Sequence, residues 1–185
     1  MRPALLIIDV QKGFDDPYWG TRNNLEAESH IARLLKSWRR LQLPVIHVRH
    51  CSTEPNSPLR PGSVGNEFKE AAVPLDGEQT FDKSVNSAFI GTGLDEHLRS
   101  KNIGELVIVG LTTDHCVSTT TRMAGNLGYK VSLPADATAT FNRLDINGNN
   151  ISADDIHRIH LSSLHKEFCE VTTTDEILET VLNDN

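Results

Sequence analysis

The chain has 185 residues, of which 38% are hydrophobic, and it carries a formal net charge of −7 at pH 7. This length and hydrophobic content suit one core, so the sequence predicts a single domain over residues 1–185. Nucleic acids and anionic membranes bind clustered positive charge, and the acidic balance without a dense Lys/Arg run argues against both as partners. Small molecules remain the expected ligands.

Short apolar runs bounded by turn residues predict the strands of a parallel sheet that is covered on both faces. The first run, ALLIIDV, is too short for the core of a signal sequence and has an aspartate near its end, so we interpret it as a strand. We therefore expect a cytoplasmic protein. In chain order, the predicted strands cover residues 4–10, 44–50, 79–84, 105–111, 130–136 and 168–174.

Helical patterns separate these runs. Residues 25–41 place six apolar side chains on one helical stripe. The other predicted helices cover residues 93–101, 115–127, 154–167 and 174–182. Strands and helices in alternation predict a doubly wound α/β fold, in which sites lie beyond the carboxyl ends of the strands.

Two connections are longer than is usual between the elements of a compact domain. Residues 51–78 are rich in Pro and Gly, and we expect them to cover the site or line it. Residues 138–152 form a second loop of this kind.

The three cysteines are too few and too scattered for a disulfide framework or a paired zinc motif, which predicts free thiols in a reducing compartment. Cys116 opens the predicted helix that follows the strand ELVIVGL. Unpaired N–H groups and the helix dipole favour an anion at such a helix start, so the sequence predicts a lowered pKa for this thiol. Cys51 and Cys169 lack this setting, and we interpret them as structural or incidental.

Asp9, Lys83 and Cys116 are the candidates for catalysis. Asp9 closes the first strand, Lys83 comes from the segment FDKSVNSAF, and the cysteine follows the fourth strand. Taken singly, each has an ordinary explanation as a cap, a surface charge or a small buried side chain. Together they supply a nucleophile, a base and a positive charge, and the helix-start amides supply an oxyanion hole.

The segments LLIIDVQKGF, DKSVNSAFIGTGL and LVIVGLTTDHCVSTTTRMAGNLGYKVSLPADATAT resemble the successive signatures of the isochorismatase-like cysteine hydrolase superfamily. The resemblance covers most of the chain and implies a three-layer α/β/α sandwich around a parallel sheet. It implies a catalytic triad of Asp9, Lys83 and Cys116. It also implies a cis peptide between Leu111 and Thr112, an oxyanion hole formed by the amides of Thr112 and Cys116, and a homo-oligomer, dimer or tetramer.

With this resemblance, the expected activity is cysteine-dependent hydrolysis of a small-molecule amide through a thioester, without a cofactor. Two alternatives within the family stay open. An isochorismatase-type hydrolase would cleave a vinyl ether with Asp9 as the acid, and a catalytically silent member would act as a binding partner. A flavin- or nucleotide-binding domain is disfavoured, because no G-x-G-x-x-G follows the first strand and no Walker pattern occurs.

We predict no metal site. Nicotinamidases of the superfamily carry an Asp and two His in a D-x-H-P-x-x-H type pattern after the second strand, where this chain has HVRHCSTEPNSP. His47 and His50 are three residues apart and face opposite sides of a regular strand, so they cannot both bind one ion. We interpret His47 as a sheet residue covered by a helix. For His50, nearer the strand end, a place in the pocket and a place outside it are both open.

The remaining pocket candidates are Gln11, Phe14, Trp19 and Phe89, together with His50. Phe14 and Trp19 follow Asp9 and would wall the site with aromatic faces, although a core or subunit contact is equally open. The resemblance suggests that Gln11 orients the aspartate and that Phe89 packs beside the pocket, a core role being the default for a Phe.

Three further residues near the candidates are interpreted as structural. Asn86 and Ser87 are expected to form local hydrogen bonds that hold the segment of Lys83. Asp114 is interpreted as a helix-start residue.

Overall fold

The computed structural model describes residues 3–183, so the first two and last two residues of the predicted 1–185 domain lie outside the described part. The strands are β1 (Ala4–Ile8), β2 (Val45–His50), β3 (Gln79–Lys83), β4 (Glu105–Leu111), β5 (Lys130–Pro134), β6 (Thr138–Ala139), β7 (Arg143–Leu144), β8 (Asn150–Ile151) and β9 (Glu170–Thr172). The helices are α1 (Ala27–Arg40), α2 (Leu94–Ser100), α3 (Ser118–Asn126), α4 (Ala153–Leu164) and α5 (Thr174–Asn183).

The central sheet has the strand order β3-β2-β1-β4-β5-β9, and the short β6 pairs with β4. Every pair in this sheet is parallel. The chain builds outward from β1 first through β2 and β3, and then on the other side through β4 and β5. The order therefore switches direction between β1 and β4, which is where doubly wound sheets place their sites.

Both faces of the sheet are covered, which confirms the predicted α/β fold with helices on either side. Alternate side chains of β1 enter two different cores: Leu6 and Ile8 join the cluster that contains α2 and α3 residues, whereas Leu5 and Ile7 join the cluster of α1 and α5. Because neither face meets water, the strand is a continuous apolar run instead of an alternating one. Trp38 of α1 is the largest side chain buried in this way.

Several element boundaries differ from the prediction. The first strand ends at Ile8 because Asp9 has a φ of +52°, a left-handed conformation that takes the chain out of the sheet. The helix predicted over 115–127 begins with a π-helical turn, Thr113–Val117, and continues as α3. The last predicted strand, over 168–174, is only three residues long.

Both long loops contain short regular elements. Residues 51–78 contain two short 3-10 turns, Val64–Asn66 and Glu70–Ala72. Residues 138–152 contain β6 and an antiparallel pair of β7 with β8. Within residues 3–183, none of the helices combines the length and the apolar character needed to cross a bilayer.

Candidate active site

Asp9, Lys83 and Cys116 meet at the carboxyl end of the sheet. The ammonium of Lys83 donates to Oδ2 of Asp9 at 2.7 Å and to Sγ of Cys116 at 3.3 Å. A further contact of 3.1 Å joins Lys83 Nζ to Nδ1 of His50. The three predicted side chains are nearly inaccessible, at 0%, 3% and 7% exposure in chain order. The lysine therefore links the acid, the thiol and the histidine in one buried cluster.

The sheet geometry produces this meeting. Asp9 and Cys116 follow the adjacent strands β1 and β4, and Lys83 is paired in register with His50 at the ends of β3 and β2. Gly110, with a φ of +123°, allows β4 to approach β1: a Cβ there would lie 2.0 Å from the carbonyl oxygen of Ile8. A side chain at position 110 would separate the two strands that carry the acid and the thiol.

Thr112 connects β4 to the π turn that carries Cys116. The peptide bond between Leu111 and Thr112 is cis. The carbonyl of Thr112 accepts hydrogen bonds from the amides of His115 and Val117, both at 3.2 Å. Its hydroxyl is buried and has no hydrogen-bond partner among residues 3–183. Thr112 and Cys116 both line the cavity that opens beside this cluster.

The electrostatics of the thiol differ from the prediction. Burial raises the pKa of Cys116 far above its ordinary value, and the carboxylate of Asp9 raises it further. The ammonium of Lys83 lowers the pKa of the thiol, but this ammonium also forms a fully buried ion pair with Asp9. The prediction of a lowered pKa is therefore wrong for this site, because desolvation outweighs the helix start. The raised pKa favours the protonated thiol over the thiolate.

Lys83 itself keeps its charge. Burial opposes ionisation of the ammonium, but Asp9 and then Cys116 raise the pKa of Lys83 above its ordinary value. Oδ1 of Asp9 is buried and has no hydrogen-bond partner among the described residues. One carboxylate oxygen is thus held by the lysine, and the other is free to accept a proton.

The cluster opens into a cavity of about 90 Å³, which is called the catalytic cavity because the candidate catalytic residues Asp9 and Cys116 line it. Of the predicted pocket residues, Phe14, Trp19 and His50 line it. Trp19 is fixed by a 2.8 Å hydrogen bond from its indole Nε1 to the carbonyl of Gly13. It packs against Phe14 and Phe141 with ring centroids 5.0 and 5.8 Å away. The aromatic residues therefore serve both as pocket wall and as a small core.

A larger space adjoins this cavity and is called the vestibule here. It has a volume of about 330 Å³ and shares Trp19, His50 and Leu59 with the cavity. The rest of its wall is formed by Tyr18, Ser52 and residues 54–57. The prediction that the 51–78 loop lines the site thus holds for its first part.

Two of the predicted pocket residues lie elsewhere. Gln11 is fully buried and its side-chain amide bonds to the backbone of His50 and Asn66. Its contact with Asp9 is made through the backbone, where the Gln11 N–H donates to the carbonyl oxygen of Asp9 at 2.8 Å. Phe89 packs on the core and stacks on Tyr129, with ring centroids 5.8 Å apart. The side chain of Gln11 is thus used to hold backbone groups, and the ring of Phe89 belongs to the core.

Sequence reasoning missed other residues of the cavity wall. Leu59, Asn86 and His115 line it, and Oδ1 of Asn86 is 3.8 Å from the thiol. Asp114 lies in the first turn of the π helix, as interpreted, and also accepts a 2.8 Å hydrogen bond from Nε of Arg143. This ion pair ties the 138–152 loop to the π turn. No sequence signal marks it, because the two residues lie in separate elements.

Asp9, His50 and Cys116 also form a group with metal-ligand chemistry, their ligand atoms lying within 4.8 Å of one another. The ammonium of Lys83 contacts all three residues, so a positive charge already occupies the space between them. His47 does not join the group: it is fully buried and its Nε2 lies 2.8 Å from Glu78. These residues do not fit a divalent cation, because it would have to displace the lysine.

The charge of Lys83 can be tested at the thiol. We expect Lys83→Met to slow alkylation of Cys116 by iodoacetamide near neutral pH, because the ammonium lowers the thiol pKa. The slowing should be roughly tenfold for each unit by which the pKa rises. The rate is measured against pH by mass spectrometry of the Cys116 peptide. Lys130→Met, which removes an exposed lysine, is the control. An unchanged rate in Lys83→Met would show that the charge of Lys83 acts on the substrate and not on the thiol.

The fold and this cluster define a doubly wound α/β protein with an acid, an amine and a thiol buried at the switch point of its sheet. A family model described as the Isochorismatase domain matches residues 3–176. The chain belongs to the isochorismatase family and is a hydrolase of that family, which confirms the resemblance drawn from its motifs.

Individual relatives cover nearly the whole chain. The isochorismatase family protein YrdC of Bacillus subtilis is 48% identical over 177 residues, which is 96% of this chain and 95% of the relative. Nicotinamidase 3 of Arabidopsis thaliana is 28% identical over 198 residues, covering 98% and 89%. A crystal structure of a hydrolase of the isochorismatase family from Chromobacterium violaceum matches with a TM-score of 0.95 at 47% identity, covering 98% of this chain and 94% of that one.

Proposed function

We propose that the protein hydrolyses a small-molecule amide with Cys116 as nucleophile, Asp9 as general acid and base, and Lys83 as the charge that links them. The observation that carries the proposal is the split role of the Asp9 carboxylate. Its Oδ2 accepts from Lys83 at 2.7 Å, while its buried Oδ1 has no partner among residues 3–183. A base with one oxygen fixed and one oxygen free is oriented for proton transfer.

Acylation begins from a neutral thiol. Asp9 takes the proton of Cys116 as the sulfur attacks the carbonyl carbon, so a thiolate with a strongly raised pKa need not accumulate. Lys83 stabilises the developing negative charge on sulfur. The amides of Thr112 and Cys116 receive the oxyanion of the tetrahedral intermediate. When the C–N bond breaks, the departing nitrogen takes the proton from Asp9, and a thioester remains.

Deacylation reverses these roles. Asp9 removes a proton from water, and the resulting hydroxide attacks the thioester carbonyl. The C–S bond then breaks, the carboxylic acid product leaves, and the sulfur recovers its proton from Asp9. The name of the Arabidopsis relative, a nicotinamidase, supports C–N chemistry in this family. Vinyl ether cleavage by protonation needs no nucleophile, so the thiol that Lys83 joins to Asp9 supports amide hydrolysis instead.

A substrate screen tests the proposal. The purified protein is incubated with small primary amides, N-substituted amides, carbamates and nicotinamide analogues, and release of ammonia or amine is measured. We expect hydrolysis of at least one amide, with an acyl adduct on the Cys116 peptide after rapid acid quenching. Cleavage of a vinyl ether with no amide turned over would contradict it. A protein that binds these compounds and cleaves none would be a silent family member.

A further inference from the structure

We infer that His50 is a substrate-positioning residue: its neutral imidazole is held by Lys83 through Nδ1 and donates a hydrogen bond from Nε2 to an acceptor atom of the substrate. The inference rests on the proposed function and narrows its substrate class. The substrate would be a small amide that carries an oxygen or another acceptor in the part that projects from the catalytic cavity into the vestibule.

The tautomer follows from the donor chemistry of Lys83. An ammonium has three N–H donors and no acceptor. Lys83 Nζ has three partners at hydrogen-bond distance: Asp9 Oδ2 at 2.7 Å, His50 Nδ1 at 3.1 Å and Cys116 Sγ at 3.3 Å. Because the lysine can only donate, Nδ1 of His50 must be the acceptor. A neutral ring that accepts at Nδ1 carries its proton on Nε2.

The charge state supports this arrangement. A second proton would place an imidazolium beside the ammonium of Lys83, where two like charges repel. Burial lowers the pKa of His50, the charge of Lys83 lowers it further, and Asp9 opposes them. The imidazole is therefore a neutral donor at neutral pH.

The backbone of His50 is fixed by buried amide side chains. Its N–H donates to Oε1 of Gln11 at 2.8 Å, and its carbonyl accepts from Gln11 Nε2 at 3.0 Å and from Asn66 Nδ2 at 2.8 Å. Both amide residues are buried. Gln11, which the resemblance assigned to orienting the aspartate, therefore acts on the histidine. A ring held at Nδ1 and at its backbone keeps Nε2 in one direction.

His50 stands where the substrate must pass. It lines both the catalytic cavity and the vestibule, and its Nε2 has no hydrogen-bond partner among residues 3–183. The catalytic cavity, at about 90 Å³, is much smaller than the vestibule, at about 330 Å³. Only a small group around the scissile carbonyl fits there. The rest of any larger substrate extends past the free Nε2–H, which selects for an acceptor.

Nuclear magnetic resonance tests the tautomer without any substrate. Full-length protein labelled with ¹⁵N at histidine is studied by long-range ¹H–¹⁵N correlation at pH 7, and the signals of His50 are assigned from their loss in His50→Asn. We expect a neutral ring with the proton on Nε2, and a shift of its Nδ1 resonance in Lys83→Met. A proton on Nδ1, or an imidazolium at pH 7, would overturn the inference.

Alkylation of Cys116 tests recognition without requiring hydrolysis. The probes are N-(2-methoxyethyl)iodoacetamide and N-butyliodoacetamide, which have equal chain lengths but differ by one ether oxygen. We expect the wild type to favour the ether probe roughly threefold to tenfold in second-order rate, the worth of one hydrogen bond. His50→Asn keeps an acceptor near the position of Nδ1 but loses the Nε2 donor, so the preference should fall to about one.

Further variants distinguish hydrogen-bond donation by Nε2 of His50 from mere packing of the His50 ring against the probe. His50→Gln places an amide donor near the Nε2 position and should retain the preference. His97→Asn removes a histidine on α2 outside the site and should leave it unchanged. Equal preference in the wild type and His50→Asn would overturn the inference, while amide hydrolysis in the screen could still stand. Retained preference without amide hydrolysis would instead defeat the proposed function alone.

Discussion

Replacing Cys116 by alanine is expected to abolish amide hydrolysis, lowering kcat/KM by about 10⁴- to 10⁶-fold, the range seen when a covalent nucleophile is removed. The reason is that acyl transfer needs the sulfur that Lys83 contacts at 3.3 Å. Cys116→Ser should be nearly as impaired. Its hydroxyl is a weaker nucleophile than the thiol.

The fold should survive this change. Cys116 contributes one small side chain to a core cluster of many residues, so circular dichroism and melting temperature should stay close to those of the wild type. Cys169→Ala is the matched control, because Cys169 is also buried and burial raises its pKa to about 12, yet it lies outside the cavity. Its activity should be retained. Full activity in a folded Cys116→Ala protein would end the thiol mechanism.

Replacing Asp9 by asparagine is expected to lower turnover by roughly 10²- to 10⁴-fold, the usual contribution of a general acid or base. Asparagine preserves the shape of the side chain and tolerates the left-handed φ of +52° at this position, so the fold should be kept. What is lost is the carboxylate oxygen that accepts the thiol proton and returns it to the leaving nitrogen.

The same variant should affect the thiol in the opposite direction. Asp9 raises the pKa of Cys116, so removing its charge should leave alkylation by iodoacetamide unchanged or make it faster. Turnover and alkylation are measured on the same preparations. Asp82→Asn, which neutralises an exposed aspartate two strands away, controls for the change of net charge. Asp9→Asn with turnover near that of the wild type would contradict the base role.

The two variants together distinguish amide from vinyl ether chemistry. A vinyl ether hydrolase that protonates its substrate from Asp9 would lose activity in Asp9→Asn and keep it in Cys116→Ala. A thiol-dependent amidase loses activity in both. The raised pKa of the thiol agrees with a sulfur that is activated only as it attacks, and alkylation measured against pH would detect that state directly.

The local pattern of the chain predicted the fold well. Apolar runs bounded by turns mark β1, β2, β4 and β5 because strands buried on both faces need no polar side chains. The rule that sites follow the carboxyl ends of strands then predicted that Asp9 and Cys116 lie at one edge of the sheet. The ends of these elements were less predictable, since the positive φ of Asp9 and the π turn before α3 depend on neighbouring strands.

The sequence by itself therefore determined the α/β class and the family, and it singled out the acid, the amine and the thiol that meet in the fold, because apolar periodicity and motif spacing are local properties. Only the tertiary structure decided how they interact. Lys83 lies 74 residues from Asp9 and 33 from Cys116, and their contacts depend on a strand order that no local pattern encodes. The neutral thiol and the donor tautomer of His50 follow from burial and from distances of a few ångströms, which exist only once the sheet has formed.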